Sequence, residues 1–140
     1  MHSSPRPYDY GHQAGDRVLV QIAELLDETM RVGERAYRYG GEELLLVLRD
    51  QDVDAGRSIV ERQRIQLQLV ALPHPANTPH GVVTLSAGVA AAQPGETPEE
   101  VLRRADRALY ESKALGRNRV AVSDPVAAPR QAAAARLTNA

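Results

Sequence analysis

Residues 38–48 read Arg-Tyr-Gly-Gly-Glu-Glu-Leu-Leu-Leu-Val-Leu, and this stretch decides more about the fold than any other. Two adjacent glycines separate two β-prone runs, which predicts a tight hairpin because glycine adopts positive φ without steric cost. Such a turn places Glu42 and Glu43 on an exposed tip, with open backbone beside them. Carboxylates in this position suit a hard divalent cation such as Mg²⁺, and open backbone beside a cation suits a triphosphate.

The composition is that of a single globular domain of 140 residues, with a hydrophobic content of 43%. The chain has no cysteine, which excludes a disulfide framework and a thiol nucleophile. A net charge of −1 provides no general attraction for nucleic acid or an anionic membrane. We find no apolar stretch of transmembrane length and no signal peptide, so we expect a cytoplasmic domain without a membrane segment.

Outside the hairpin, hydrophobic periodicity and capping signals predict three helices and two further strands. The helices are expected at about residues 16–30, from Asp52 or Asp54 to about residue 69, and from the Thr97-Pro98-Glu99-Glu100 start signal to Gly116; the strands are expected at residues 82–91 and 119–123. This order predicts an α/β (α+β) sandwich, with helices packed on a mainly antiparallel sheet. Residues 1–9 are predicted to be irregular, and residues 124–140 to form a disordered Ala/Pro-rich tail.

Three motifs in a fixed order give the chain a resemblance to a known family. They are Tyr10-Gly11-His12-Gln13-Ala14-Gly15-Asp16 at the first helix, the turn Gly40-Gly41-Glu42-Glu43-Leu44, and the final run Arg104-Ala105-Asp106 through Tyr110 and Lys113 to Gly116-Arg117-Asn118. Over residues 10–123 the chain resembles the GGDEF (diguanylate cyclase) domain family. The resemblance implies a nucleotide-cyclase-like, ferredoxin-like palm.

The resemblance also implies a function in signal transduction. Members of this family are nucleotidyltransferases that condense two GTP molecules into cyclic di-GMP and release pyrophosphate. They act as homodimers in which each domain holds one GTP, and they use Mg²⁺ or Mn²⁺. The expected ligands of this chain are therefore GTP, cyclic di-GMP and a divalent cation, with no role for nucleic acid.

Carried over residue by residue, the resemblance assigns catalytic and metal-binding roles to Glu42 and Glu43, and substrate-binding roles to Asp16, Gly40, Gly41, Lys113 and Arg117. Glu43 would bind the metal, and Glu42 would bind a second metal or help to deprotonate the 3′-hydroxyl. The glycine backbone would pack against the nucleotide, and Asp16 would accept hydrogen bonds from guanine. Lys113 and Arg117 would hold terminal phosphate oxygens, although a favourable interaction with the C-terminus of a helix would explain one of the two cations.

The chain departs from the family at its start. The family's first strand carries a metal-binding aspartate, whose position falls before Met1, and a guanine-reading asparagine, whose position falls on Pro7. The sequence therefore predicts that the first strand is missing and that turnover is weak or absent. Two alternatives stay open: a degenerate module that binds GTP or cyclic di-GMP and acts through protein partners, and a domain whose exposed sheet edge pairs with another chain, including domain exchange.

An allosteric inhibitory site is a further hypothesis. Many family members bind cyclic di-GMP at an Arg-x-x-Asp motif, and the corresponding residues here are Arg31 and Glu34, with Arg62 as a supporting arginine. The simpler interpretation is a surface ion pair between residues three apart, which contributes little stability.

Overall fold

The computed structural model describes residues 13–31, 33–40, 43–123 and 131–138. Within these residues the chain forms three helices and five strands. The helices are α1 (Gln13–Asp27), α2 (Val53–Val70) and α3 (Pro98–Ala114), and the strands are β1 (Arg35–Gly40), β2 (Glu43–Gln51), β3 (Ser86–Ala91), β4 (Val120–Val122) and β5 (Gln131–Thr138). The order of the first seven elements is the predicted one.

Local signals explain where the helices begin. Asp52 caps α2, because its side chain accepts a hydrogen bond from the Ala55 backbone N–H at 2.8 Å. Thr97 and Glu100 form the capping box that the sequence indicates for α3. Helix α1 begins at Gln13, so Asp16 lies in its first turn and is not the capping residue.

The five strands form one sheet in the order β1-β2-β5-β3-β4. All neighbouring pairs are antiparallel except β3 and β4, which are parallel. The prediction of a mainly antiparallel sheet flanked by helices is therefore confirmed. The two strands at the edges of the described sheet are β1 and β4.

Strand β5 corrects the prediction of a disordered tail, which is wrong for residues 131–138. This segment pairs with β2 on one side and with β3 on the other, and Ala135 and Leu137 are fully buried. Backbone hydrogen bonds on both sides and burial of residues 135–138 offset the weak strand propensity of alanine. Instead of an open edge for another chain, the described sheet contains a strand of the same chain.

The two faces of the sheet are covered differently. Helices α1 and α2 cover one face, against a cluster of leucine, valine and alanine side chains that includes Leu44, Leu46 and Leu137. Helix α3 lies on the other face, where an added Cβ at Gly88 would come within 2.2 Å of the Leu109 backbone nitrogen. A glycine at position 88 is therefore what allows α3 to approach the centre of the sheet.

Candidate functional site

The described part of the acidic hairpin ends at Gly40 and Glu43. These two residues lie opposite each other, at the end of β1 and at the start of β2. Gly41 and Glu42 lie outside the described residues, so the roles expected of them remain predictions. The Glu43 side chain is one-third exposed, which leaves its carboxylate accessible from the end of the sheet.

Arg136 of β5 is the residue that contacts this carboxylate. Its Nη2 forms an ion pair with Oε1 of Glu43, and its Nη1 lies 2.5 Å from Oδ1 of Asp106 on α3. The guanidinium carbon also lies 4.0 Å from the centroid of the Tyr39 ring, a cation–π arrangement. The Arg136 side chain is only 5% exposed. A buried positive charge is thus held between two carboxylates and an aromatic ring.

In the observed state Arg136 competes with a divalent cation for the Glu43 carboxylate. The guanidinium is paired with Oε1 of Glu43, and a cation bound to the same carboxylate would be repelled by this neighbouring positive charge. Across the part of the chain that the structure describes, no group of three or more His, Asp or Glu side chains is arranged to hold a metal ion. The metal-binding roles expected of Glu42 and Glu43 stay predictions, and in the observed state Arg136 is the partner of Glu43.

Two of the three motifs meet at one end of the sheet. Glu43 pairs with Thr138 of β5, Thr138 pairs with Ser86 of β3, and the Asn118 backbone N–H donates to Oγ of Ser86 at 3.1 Å. Neighbouring strands are about 4.8 Å apart, so Glu43 and Ser86 are separated by about 10 Å. The turn that carries Arg117 therefore lies at the same end of the sheet as Glu43.

Helix α2 anchors that turn. Asn118 has a positive φ of 48°, which asparagine tolerates better than most residues, and its side chain bonds to Arg64 at 2.9 Å and to Gln68 at 3.2 Å. Arg64 also pairs with Glu61, and the hydrogen bond from Arg64 holds the pKa of Glu61 below its usual value despite the opposing effect of burial. Arg117 is exposed and Lys113 is half-buried in the last turn of α3. Both cations are thus available at the C-terminal end of α3.

Asp16 lies within α1, but its side chain is outside the described part of the chain. Its expected contact with guanine therefore stays a prediction.

The predicted inhibitory pair is an ordered structural contact. Glu34, whose side chain is 3% exposed, accepts hydrogen bonds from the Arg31 side chain and from the backbone N–H groups of Arg31 and Arg49. Burial alone would raise the pKa of Glu34, but these bonds outweigh it and lower the pKa. Arg62 is exposed on α2. The pair holds the chain before β1 against the end of β2, whether or not it also binds a ligand.

An open cleft of about 420 Å³ lies at the other end of β3, against the start of α3. Its cationic lining includes Arg103, Arg104 and Arg107. Arg104 is already paired with Glu96 at 2.6 Å and bonded to the Ala91 carbonyl. The cleft is therefore separate from the Glu43 end of the sheet.

Sequence reasoning missed Arg136. The only signal was a single arginine following an alanine run, with Ala133, Ala135 and Leu137 alternating as in a half-buried strand. Alanine is a poor strand former, and the nearby prolines favour an irregular tail, so the pattern is too weak to identify a central strand.

A mainly antiparallel sheet, with helices on both faces and an acidic glycine hairpin at one end, defines an α+β palm domain. The family model described as "Diguanylate cyclase, GGDEF domain" matches residues 8–119, and the chain belongs to this family. Among curated relatives, it is similar to Diguanylate cyclase DgcP of Pseudomonas aeruginosa, with 39% identity over 115 residues that cover 82% of this chain and 17% of that protein.

The chain is also similar to solved structures of GGDEF domains. The GGDEF domain of DgcB from Caulobacter crescentus, in complex with c-di-GMP, has a TM-score of 0.70 and 34% identity, covering 81% of this chain and 67% of that one. The active GGEEF domain of a diguanylate cyclase from Vibrio cholerae has a TM-score of 0.67 and 29% identity, covering 84% and 74%. This chain spans only 17% to 33% of the length of such curated diguanylate cyclases. No described helix has the length and hydropathy of a membrane span.

Proposed function

We propose that this domain binds GTP at the Glu43 end of the sheet and, together with a second copy, condenses two GTP into cyclic di-GMP. The observation that carries the proposal is the meeting of two family motifs at this end. Glu43 follows the glycine turn, and the Arg117-Asn118 turn lies two strands away, fixed to β3 through Ser86. A cytoplasmic location would give such a domain access to GTP.

The proposal assigns a role to each predicted site residue. Asp16 accepts hydrogen bonds from the guanine edge, the backbone of Gly40 and Gly41 packs against the nucleotide, and Lys113 and Arg117 hold the terminal phosphates. The 3′-hydroxyl of one GTP then loses its proton, with help from Glu42, and attacks the α-phosphate of the other. The new O3′–P bond replaces the bond to the β-phosphate oxygen, and pyrophosphate leaves. The same exchange in the opposite direction closes the ring, which is why two copies are needed.

Diguanylate cyclases use a divalent metal. We propose Mg²⁺ or Mn²⁺ for this domain, with Glu42 and Glu43 as the acidic ligands. Because Arg136 now holds Glu43, we expect low basal turnover from the chain in the observed state. Arg31, Glu34 and Arg62 remain proposed contacts for inhibition by cyclic di-GMP.

The test is to incubate the purified chain at high concentration with GTP and Mn²⁺ and to identify the product by chromatography and mass spectrometry. We expect slow formation of cyclic di-GMP that disappears in Glu43→Gln. Glu99→Gln removes an exposed acid from the first turn of α3 and serves as the matched control, with product formation like the parent. Absence of product in the parent at every protein concentration would refute the proposal, as would unchanged product formation in Glu43→Gln.

A further inference from the structure

Strand β5 lies at the centre of the sheet although it falls outside the part of the chain that matches the family. The family match ends at residue 119, and β5 begins at Gln131. Strands β2 and β3 are each paired with β5 and not with each other. Among the described strands, β5 alone is paired with both β2 and β3, and it occupies the position between them.

The side chains of β5 decide what this strand does at the candidate site. Arg136 lies in register between Leu45 of β2 and Gly88 of β3, on the face covered by α3. Its Nε has no hydrogen-bond partner among the described residues, so part of this buried cation is unsatisfied. Burying a partly unsatisfied guanidinium costs free energy, and the ion pair with Glu43 offsets part of that cost. Packing alone therefore does not explain why an arginine stands at this position.

The consequence concerns the carboxylate of Glu43. A guanidinium at this oxygen satisfies the charge that would otherwise attract a cation, and it adds a repulsive positive charge within a buried, weakly screened setting. Asp106 contacts the same guanidinium from α3 and is half-exposed, with 51% of its side chain accessible. If Arg136 withdrew, two carboxylates would be left facing the vacated position.

We propose that β5 is a self-inhibitory strand whose Arg136 excludes divalent cations from Glu43. Cation binding then requires Arg136 to leave this carboxylate. The inference rests on the proposed function to the extent that Glu43 is taken as the metal ligand. It goes beyond that function because it assigns control of cation access to Glu43 to a segment that the family match does not include.

The test measures binding of Mn²⁺ alone, without nucleotide, from the loss of the free-ion signal in electron paramagnetic resonance. We expect Arg136→Ala to bind Mn²⁺ at least about tenfold more tightly than the parent, because a positive charge in contact with the ligand is removed. Arg103→Ala removes the same charge from an exposed position on α3 and should match the parent. The double variant Arg136→Ala/Glu43→Gln should lose the gain.

Equal Mn²⁺ affinity in Arg136→Ala and the parent would overturn the proposal, and so would a gain that persists in the double variant. If thermal melting shows that Arg136→Ala is unfolded, Arg136→Gln keeps a long polar side chain without the charge, and the same result is expected. The readout is independent of turnover. A variant that gains Mn²⁺ but forms no cyclic di-GMP would refute the cyclase proposal and leave the self-inhibitory strand intact.

Discussion

Glu34 shows how a buried carboxylate is kept charged in this domain. Its two oxygens accept hydrogen bonds from the backbone and side chain of Arg31 and from the Arg49 backbone, at 2.8 to 3.2 Å. Arg31 in turn donates to the Arg49 carbonyl at 2.6 Å, so the connection between α1 and β1 is fixed to β2. The sequence indicated the pair but suggested a weak surface contact. Only the fold shows that β2 supplies a third donor and buries the acid.

We expect the charge on Glu34 to stabilise the folded chain above the ordinary glutamate pKa of 4.5. Because hydrogen bonds lower its pKa in the folded state, this stabilisation is present at neutral pH and is lost as the pH falls through the folded-state pKa. Glu34→Gln should lower the free energy of unfolding by about 2 kcal/mol at pH 7. The difference in the free energy of unfolding between this variant and the parent should decrease as the pH is lowered. Urea denaturation at several pH values measures it.

The control is Glu24→Gln, which changes an exposed acid on α1. It should follow the parent at every pH. A Glu34→Gln variant as stable as the parent at pH 7 would show that the buried contacts contribute nothing.

At the scale of the elements, the sequence predicted α3 well and β5 not at all. The start of helix α3 is specified by the local capping residues Thr97, Pro98 and Glu100, which lie within one helical turn of each other. Strand β5 has no such local signal. It forms because β2 and β3 supply backbone partners on both sides and because Ala134 and Ala135 pack against the hydrophobic clusters on the two faces of the sheet. Pairing with strands that are distant in the sequence cannot be predicted from a short window of residues.

The packing of β5 can be tested through Leu137, which is 1% exposed between β2 and β3. We expect Leu137→Ala to lower the free energy of unfolding by about 3 kcal/mol, from lost burial and the remaining cavity. Leu69→Ala is the matched control, because Leu69 is 77% exposed on α2. Denaturant melts of both variants provide the measurement. Equal, small effects of the two substitutions would show that residues 131–138 are not part of the core.

At the scale of the whole molecule, the element order and the helix-on-sheet architecture follow from periodicity, but the sheet order does not. The prediction that the first strand is missing came from comparing the chain with a family whose first strand precedes α1. In the structure the C-terminal segment lies between β2 and β3, and this brings Arg136 to Glu43. The sequence could therefore identify Glu43 as a candidate ligand but not its partner, since that contact joins residues 93 positions apart.

Formation of cyclic di-GMP at Glu43, restrained by Arg136, can be tested in one experiment. The most direct measurement is the initial rate of cyclic di-GMP formation from GTP and Mn²⁺ by four proteins: the parent, Arg136→Ala, Glu43→Gln and the double variant. The account predicts a low rate for the parent, a higher rate for Arg136→Ala, and no product from either protein that carries Glu43→Gln. A parent rate equal to or above that of Arg136→Ala, or product from a Glu43→Gln protein, would contradict it.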